Sequence, residues 1–480
     1  MSLILDISNS MLAEAVLLIS FLILSVFSMF YNVRYHKLSK WIAVSGIAFA
    51  LVSLKFLQLE PVYYAFNESI ISDTFTVFVK ALILFSSLII ILLSKKNVTK
   101  RNHKTFQFYT LLIAGVMSSL LVVSSNDFVT LTVSLEMLSF STYFLIAYKK
   151  GYLSKEASFK YIISNAFSTA IYLFGVSYLY GISGKLNFNA INDYFMQNEP
   201  TLIYTFAVVF IAIGLLFKLA ILPFANWILD VYEGSATSVS AFIATIPKIA
   251  VIAVLARLFV FILGNSFELP VILVILSVMT AIWANILAIR QKKILRILAC
   301  SSSANAAYML FVLSLVSVYN LSTVLFYLIT YVFMNLGAFA AIIVLENSNY
   351  GLKLNGLKGL AYTNPLFALS FAICIFGLAG FPITSGFIAK FYLFSAIIRS
   401  GAVFIPFLII LAMTIVVAAY YYTNIVAKMF EKTDSQDNQI IYNSTTSATV
   451  ILYACSLITL VVGIMPFALL ELCKFIAYNL

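Results

Sequence analysis

Glu136, Lys218, Lys248 and Lys390 stand in stretches of sequence that are otherwise almost wholly apolar. A charge at the centre of a bilayer costs roughly 2.5 to 3.5 kcal/mol on insertion scales, so it requires a partner, a wet cavity or a function. Three amines and a carboxylate can take up, hold and pass on protons. Burial disfavours a charged amine and an adjacent carboxylate favours it, so bringing the two together or apart switches proton affinity. Groups coupled in this way titrate as a set. Two of the lysines bracket FKLAILPFANWILDVYEGSATSVSAFIATIPK at 217–248, which is broken by Pro223, Gly234 and Pro247. Pro223 removes a backbone donor just after Lys218, leaving carbonyls that water, a cavity or neighbouring side chains must satisfy. The same device recurs where Gly377, Gly380, Pro382 and Gly386 interrupt an apolar span and Lys390 follows. An interrupted helix beside a buried amine is a membrane ion site by its physics, and a broken segment in each half points to a transporter built from internal repeats.

Glu136 is flanked by Ser134, Ser139, Ser141 and Thr142, small hydroxyl residues that permit close helix approach. A lone glutamate at this depth can be a structural salt-bridge partner; the unpaired lysines on later helices favour a proton-relay role. Asp230 and Glu233, between Lys218 and Lys248, either guide protons toward an opening or cap the following helix. The serines 301–303, Ser302 among them, and Asn305 can hold a water chain or pack helices together. Lys80, well inside its span, reads equally as an ion pair with a neighbouring helix. Lys160 and Arg257 lie near enough to helix ends to snorkel.

The elements that must position these groups are membrane helices. In 480 residues, 63% hydrophobic and 10% charged, with mean hydropathy +1.05, the surface is far too poor in charge for a soluble multidomain enzyme. At about 20 apolar residues per crossing the runs number about fourteen, including 41–57 and 365–399. The expected architecture is an all-α polytopic membrane protein. Its parts are an N-terminal three-helix segment (1–105), a five-helix repeat (106–263), a second (264–430) and a C-terminal helix (431–480). Five crossings per repeat invert the second relative to the first. The net charge of +11 does not indicate nucleic acid, because the lysines and arginines gather on alternate connections, among them Arg34, Lys95, Lys96, Lys149, Lys292, Lys293 and Arg296. By the positive-inside rule that side is cytoplasmic, or the matrix side in an organelle. The acidic lead MSLILDISNSMLAE lacks a cleavage site and reads as part of a retained helix. Cys300, Cys374, Cys455 and Cys473 have no metal spacing and read as small core residues; His36 and His103 sit in basic loops, so no metal is expected.

The runs FKLAILPFANWILDVYEGSATSVSAFIATIPK, RQKKILRILACSSSANAAYML and LAGFPITSGFIAKFYLFSA closely resemble the proton-translocating membrane subunits of respiratory complex I. That family is related to subunits of multisubunit cation/proton antiporters. Within it, DVYEG, a length near 480 and a lysine in the second broken helix are similar to the subunit N branch, the counterpart of mitochondrial NADH dehydrogenase subunit 2. The resemblance implies fourteen helices with two inverted five-helix repeats containing broken helices. It also implies a Glu136–Lys218 pair, Lys248 as the junction of two half-channels and Lys390 as the lysine leading to the far side or to a neighbouring subunit. Ala225, Leu229, Ala236, Leu295, Asn305 and Phe381 depart from the family pattern, several of them where relatives carry histidine or lysine.

The expected function is proton translocation driven by quinone reduction elsewhere, since the chain has no nucleotide loop, cluster-binding cysteines or flavin motif. The resemblance implies that NADH, FMN, iron–sulfur clusters and quinone bind other subunits. It implies as partners subunit M-like and K-like membrane neighbours, the peripheral redox arm and the lipid bilayer, with no nucleic acid. The membrane expected is the bacterial cytoplasmic one, with the mitochondrial inner membrane as the alternative. A sodium/proton antiporter subunit would use the same residues, and a structural subunit would keep them as packing ion pairs.

Overall fold

In a bilayer every backbone polar group of an apolar stretch must be satisfied within the chain, and the helix does this segment by segment. The computed structural model describes residues 10–30, 36–56, 62–94, 105–263, 268–315, 317–348, 351–432 and 446–480. Arg34, the basic loop 95–104 with its lysines and His103, and the first nine residues of the lead lie outside the described residues. In chain order the helices are α1 (Leu12–Phe30), α2 (His36–Ser53), α3 (Thr74–Leu93), α4 (Thr105–Ser124), α5 (Phe128–Ala147), α6 (Tyr152–Ser183) and α7 (Phe188–Gln197). There follow α8 (Leu202–Leu219), α9 (Trp227–Gly234), α10 (Thr237–Phe261), α11 (Glu268–Ile289), α12 (Ile294–Ser314) and α13 (Val318–Asn347). The chain closes with α14 (Leu360–Thr363), α15 (Pro365–Ala379), α16 (Ser385–Arg399), α17 (Ile405–Phe430), α18 (Thr446–Ile464) and α19 (Phe467–Tyr478).

Among the described residues, 12 helices are long and apolar enough to cross a membrane. The other two expected runs are helical in a different way. Of the run 41–57, the described residues fall in α2 and a 3-10 turn, Leu54–Phe56. Residues 365–399 form α15 and α16, parted between Gly380 and Thr384. Twelve and these two make the fourteen runs. By the expected bounds the first five-helix repeat takes in α4, α5, α6, α8 and α10, and the second α11, α12, α13, the broken α15/α16 and α17. In each repeat the fourth member breaks at a left-handed residue: Ala220 (φ 57°) ends α8, and Gly380 (φ 86°) ends α15.

The described residues divide into two units. One holds the chain up to Ala220 with Gly234–Leu273 and Ile476–Leu480; the other holds Ile221–Glu233 and Val274–Phe475. In the first, α6 and α8 pack backbone to backbone through two glycines. A Cβ on Gly175 would lie 2.6 Å from the Ala207 carbonyl oxygen, and one on Gly214 would strike Tyr172. The Ser168 hydroxyl adds a 2.6 Å hydrogen bond to the Gly214 carbonyl. A hairpin, Tyr63–Ala65 paired antiparallel with Ile70–Ser72, leads into α3, whose N-cap Asp73 accepts from the Thr76 amide.

Two ion pairs anchor α3. Asp73 Oδ2 pairs with Arg257 at 2.8 Å, and Arg257, 1% exposed, also donates to Thr76. This corrects the expectation that Arg257 snorkels: a carboxylate from α3's cap lies beside it, so the guanidinium turns inward. Lys80 pairs with Glu14 of α1 at 2.7 Å, the inter-helix partner expected of it. Lys160, by contrast, is exposed and pairs with Glu156 one turn away. In the second unit every residue of α12 but Arg296 is buried, and a Cβ on Gly386 would collide with the Gly377 carbonyl, so the two halves of the broken segment touch backbone to backbone. All four cysteines are buried.

Candidate proton-transfer site

The first unit carries Glu136 on α5, Lys218 in the last turn of α8 and Lys248 in α10. The Lys218 amine, 6% exposed, donates to Ser139 Oγ at 2.5 Å and to Asn165 Oδ1 at 2.9 Å. The other end of the same amide, Asn165 Nδ2, faces Glu136 Oε1 at 3.4 Å. Thr169 Oγ1 donates to that oxygen at 2.7 Å. The expected glutamate–lysine pair is therefore a bridged pair: Glu136 and Lys218 are not in ion-pair contact, and Asn165 joins them. A small cavity bounded by Thr132, Glu136, Asn165, Thr169, Tyr172 and Lys218 opens here. Helix ends carry partial negative charge on their last carbonyls, which favours an amine in the last turn of α8.

Lys248 is fully buried in α10, directly after Pro247 in the helix interior. Every residue of α10 from Thr237 to Phe259 is buried.

The second unit carries Lys390, Asp230, Glu233, Ser302 and Asn305. Lys390 reaches back from α16 to the end of α15, donating to the carbonyls of Leu378 at 2.9 Å and Ala379 at 2.6 Å. These are last-turn carbonyls that the helix itself leaves without donors. The amine also lies 5.9 Å from the centre of the Tyr308 ring.

Asp230 and Glu233 do not cap α10. Its N-cap is Ala236, which offers no side-chain cap, and both carboxylates turn to α12 and the residue before it. Asp230 pairs with Arg296 at 2.8 Å, and Glu233 binds both Lys293 and Arg296. Burial pushes the Glu233 carboxyl up, but hydrogen bonds and charge from Lys293 and Arg296 outweigh it and hold the group below the usual carboxylate range.

Ser302 and Asn305 belong to a network of tyrosines. Tyr232 OH donates to Ser302 at 3.0 Å, and Ser302 meets Tyr331 OH at 2.9 Å. Tyr331 in turn accepts from Asn335 at 3.0 Å. Asn305 accepts from Tyr327 at 2.7 Å, and Ser301 bonds to Tyr422. Tyr308 lies between Asn285 and Thr414. The polar groups of α12 are thus linked by hydroxyls that can each donate and accept.

Asn165, Thr169 and these tyrosines are the site residues that reading the sequence for charge passes over. For the first two a signal existed. Asn165, Ser168, Thr169 and Tyr172 follow at spacings of three, one and three, a polar stripe on one face of an otherwise apolar helix.

Broken helices carrying buried lysines, within paired five-helix repeats, define an antiporter-like membrane subunit. Residues 125–416 match the family model described as NADH:quinone oxidoreductase/Mrp antiporter, transmembrane. NADH-quinone oxidoreductase subunit N of Bacillus anthracis is 31% identical over 474 residues, covering 95% of this chain and 92% of the relative. Subunit N 2 of Rhizobium meliloti is 32% identical over 445 residues, covering 92% and 91%. A chain of respiratory complex I from Thermus thermophilus superposes with TM-score 0.80 at 26% identity, covering 96% of this chain and 98% of that one. A chain of the Mrp complex from Dietzia sp. shares the fold, with TM-score 0.81 at 19% identity over 97% of each. The chain belongs to the subunit N family of NADH-quinone oxidoreductase, the membrane subunits of an enzyme complex.

Proposed function

We propose that this chain moves protons across the membrane within an NADH:quinone oxidoreductase and carries no redox chemistry itself. Protons enter from the basic, cytoplasmic side near Lys218, pass through Lys248 and the polar residues of α12, and leave by way of Lys390. Lys218, Lys248 and Lys390 each take and release a proton; Glu136 biases Lys218 by its own charge. The observation that carries the reading is the seating of Lys218. Its amine rests on two side-chain acceptors, Ser139 and Asn165, with a carboxylate one amide away, so small rotations change what stabilises its charge. Asp230 and Glu233 hold α9 to Lys293 and Arg296, and the tyrosine hydroxyls around Ser302 and Asn305 offer a route for proton hopping.

NADH, FMN, iron–sulfur clusters and quinone belong, in this reading, to other subunits. Subunit M-like and K-like neighbours and the peripheral redox arm are the partners, in the cytoplasmic membrane of a bacterium. Replacing Glu136 or Lys218 by alanine in the assembled complex is expected to lower proton-coupled turnover; unchanged turnover and pumping in both variants would remove the pair from the path. The shared Mrp fold makes a cation/proton antiporter the second reading. Purification of the intact assembly separates the two, since copurifying peripheral redox subunits support the first and their absence beside further antiporter subunits the second.

A further inference from the structure

The bridge between Glu136 and Lys218 is an amide, which, unlike the hydroxyls that line the cavity, donates and accepts without passing a proton on. An ammonium only donates and a carboxylate only accepts, so a side chain that touches both must offer an acceptor at one end and a donor at the other. Asn165, 2% exposed, does this with its oxygen 2.9 Å from the Lys218 amine and its nitrogen 3.4 Å from Glu136 Oε1. The two charges fix which way the amide points. Carboxamides gain or lose a proton only in strong acid or strong base, so a proton cannot step through Asn165 near neutral pH.

The hydroxyls hydrogen-bonded to the two charges, Thr169 and Ser139, do not bypass it. Thr169 reaches Glu136 at 2.7 Å, and Ser139 reaches Lys218 at 2.5 Å. The Ser139 proton is directed to the Leu135 carbonyl at 2.7 Å or to Asn165 Oδ1 at 3.3 Å, neither of which leads to the carboxylate.

We propose that Asn165 is an insulating bridge: a positioning residue that lets the charge of Glu136 act on Lys218 while preventing the two from sharing a proton. The proton on Lys218 then goes forward along the path instead of back to Glu136. This inference rests on the proton-transfer reading of Lys218 given above.

The groups that face Lys218 are Glu136 and Tyr143 on α5, and Tyr161 and Tyr172 on α6. Helix α10, packed against α8, carries Lys248, while its Arg257 is engaged with Asp73. Asn165→Asp keeps the shape and replaces the donor by a carboxylate. Two carboxylates then meet, one must hold a proton, and that proton can pass between them; the single negative charge can move onto the new carboxylate directly against Lys218, which favours the amine's charged form. Asn165→Ala opens the gap to water.

The test measures protons moved per NADH oxidised, against pH, in membrane vesicles holding the intact complex, for wild type, Asn165→Asp, Asn165→Ala and Lys218→Ala. For Asn165→Asp the expected result is at least a fivefold loss of pumping, with the alkaline limb displaced to higher pH by about one unit. Asn165→Ala is expected to move fewer protons per NADH than wild type, with a yield of intact complex near wild type. Assembly is read from the yield of intact complex, and either variant alone decides the question. If Lys218→Ala stops pumping and the assembled Asn165 variants keep the wild-type ratio and pH profile, the bridge is refuted and the path stands. If Lys218→Ala itself pumps normally, the path fails and the bridge falls with it.

Discussion

Lys218 and Lys390 are both buried amines beside a break in the fourth member of a five-helix repeat, yet they are held in opposite ways. Lys218 precedes its break by two residues and rests on side chains, Ser139 and Asn165. Lys390 follows its break by ten residues and rests on main chain, the carbonyls of Leu378 and Ala379. Side chains on α5 and α6 can rotate without disturbing any helix. Main-chain carbonyls at a helix end cannot move unless α15 moves with them. The first seat is adjustable and suited to switching a proton's affinity; the second is fixed, and the amine there also completes a helix terminus.

Removing each amine should expose that difference. Lys390→Ala leaves two buried carbonyls without donors, a loss of about 1 to 3 kcal/mol per orphaned group. A lower yield of intact complex and a lower unfolding temperature in detergent are expected, and wild-type values for both would mean that the amine does not cap α15. Gly214→Ala drives a methyl into Tyr172 and parts α6 from α8, at a cost of about 1 to 3 kcal/mol through overpacking. Because Asn165 and Lys218 lie on those two helices, pumping should fall along with the unfolding temperature, whereas pumping kept intact would show that the seat tolerates the shift.

Lys218→Ala should change stability least of the three. Asn165 and Ser139 already touch each other at 3.3 Å, and Asn165 retains Glu136, so the shift should stay within about 1 kcal/mol. A collapse of the complex comparable to that of Lys390→Ala would erase the contrast.

The smallest effect belongs to the rim. Glu233 has its carboxyl held below the usual range, so the stability it contributes is fully present above the ordinary carboxylate pKa and is lost only as pH falls through the lowered folded value. Between pH 8 and pH 6 its contacts with Lys293 and Arg296 should contribute a constant amount. A thermal stability that drops over that window in wild type but not in Glu233→Gln would contradict the assignment.

Much of the architecture was legible because it depends on quantities a sequence carries directly. Run length and hydropathy identified the crossings, and Pro223, Gly380 and Pro382 marked both broken segments. Glu136 and Lys218 stood out because a charge in an apolar run is rare. What was hidden depends on which helices meet. Asn165 and Thr169 are neutral, and nothing in α6 alone says that its polar stripe faces Lys218; that follows from the close approach at Gly175 and Gly214. Arg257 sits near enough to a helix end to snorkel, and only the placement of Asp73 beside it turns it inward. The tyrosines of the α12 network look like ordinary membrane aromatics until their hydroxyls are seen to converge on Ser301, Ser302 and Asn305.

The claim at the centre of this account is that Lys218 works by giving up its proton. Lys218→Arg tests it most directly, because a guanidinium keeps the positive charge and the donors but is not deprotonated in proteins. Proton movement per NADH, measured in vesicles holding the intact complex, should then fall roughly tenfold or more while the yield of complex stays near wild type. Pumping at the wild-type ratio by Lys218→Arg would show that the charge of Lys218 is structural and that the proton travels elsewhere.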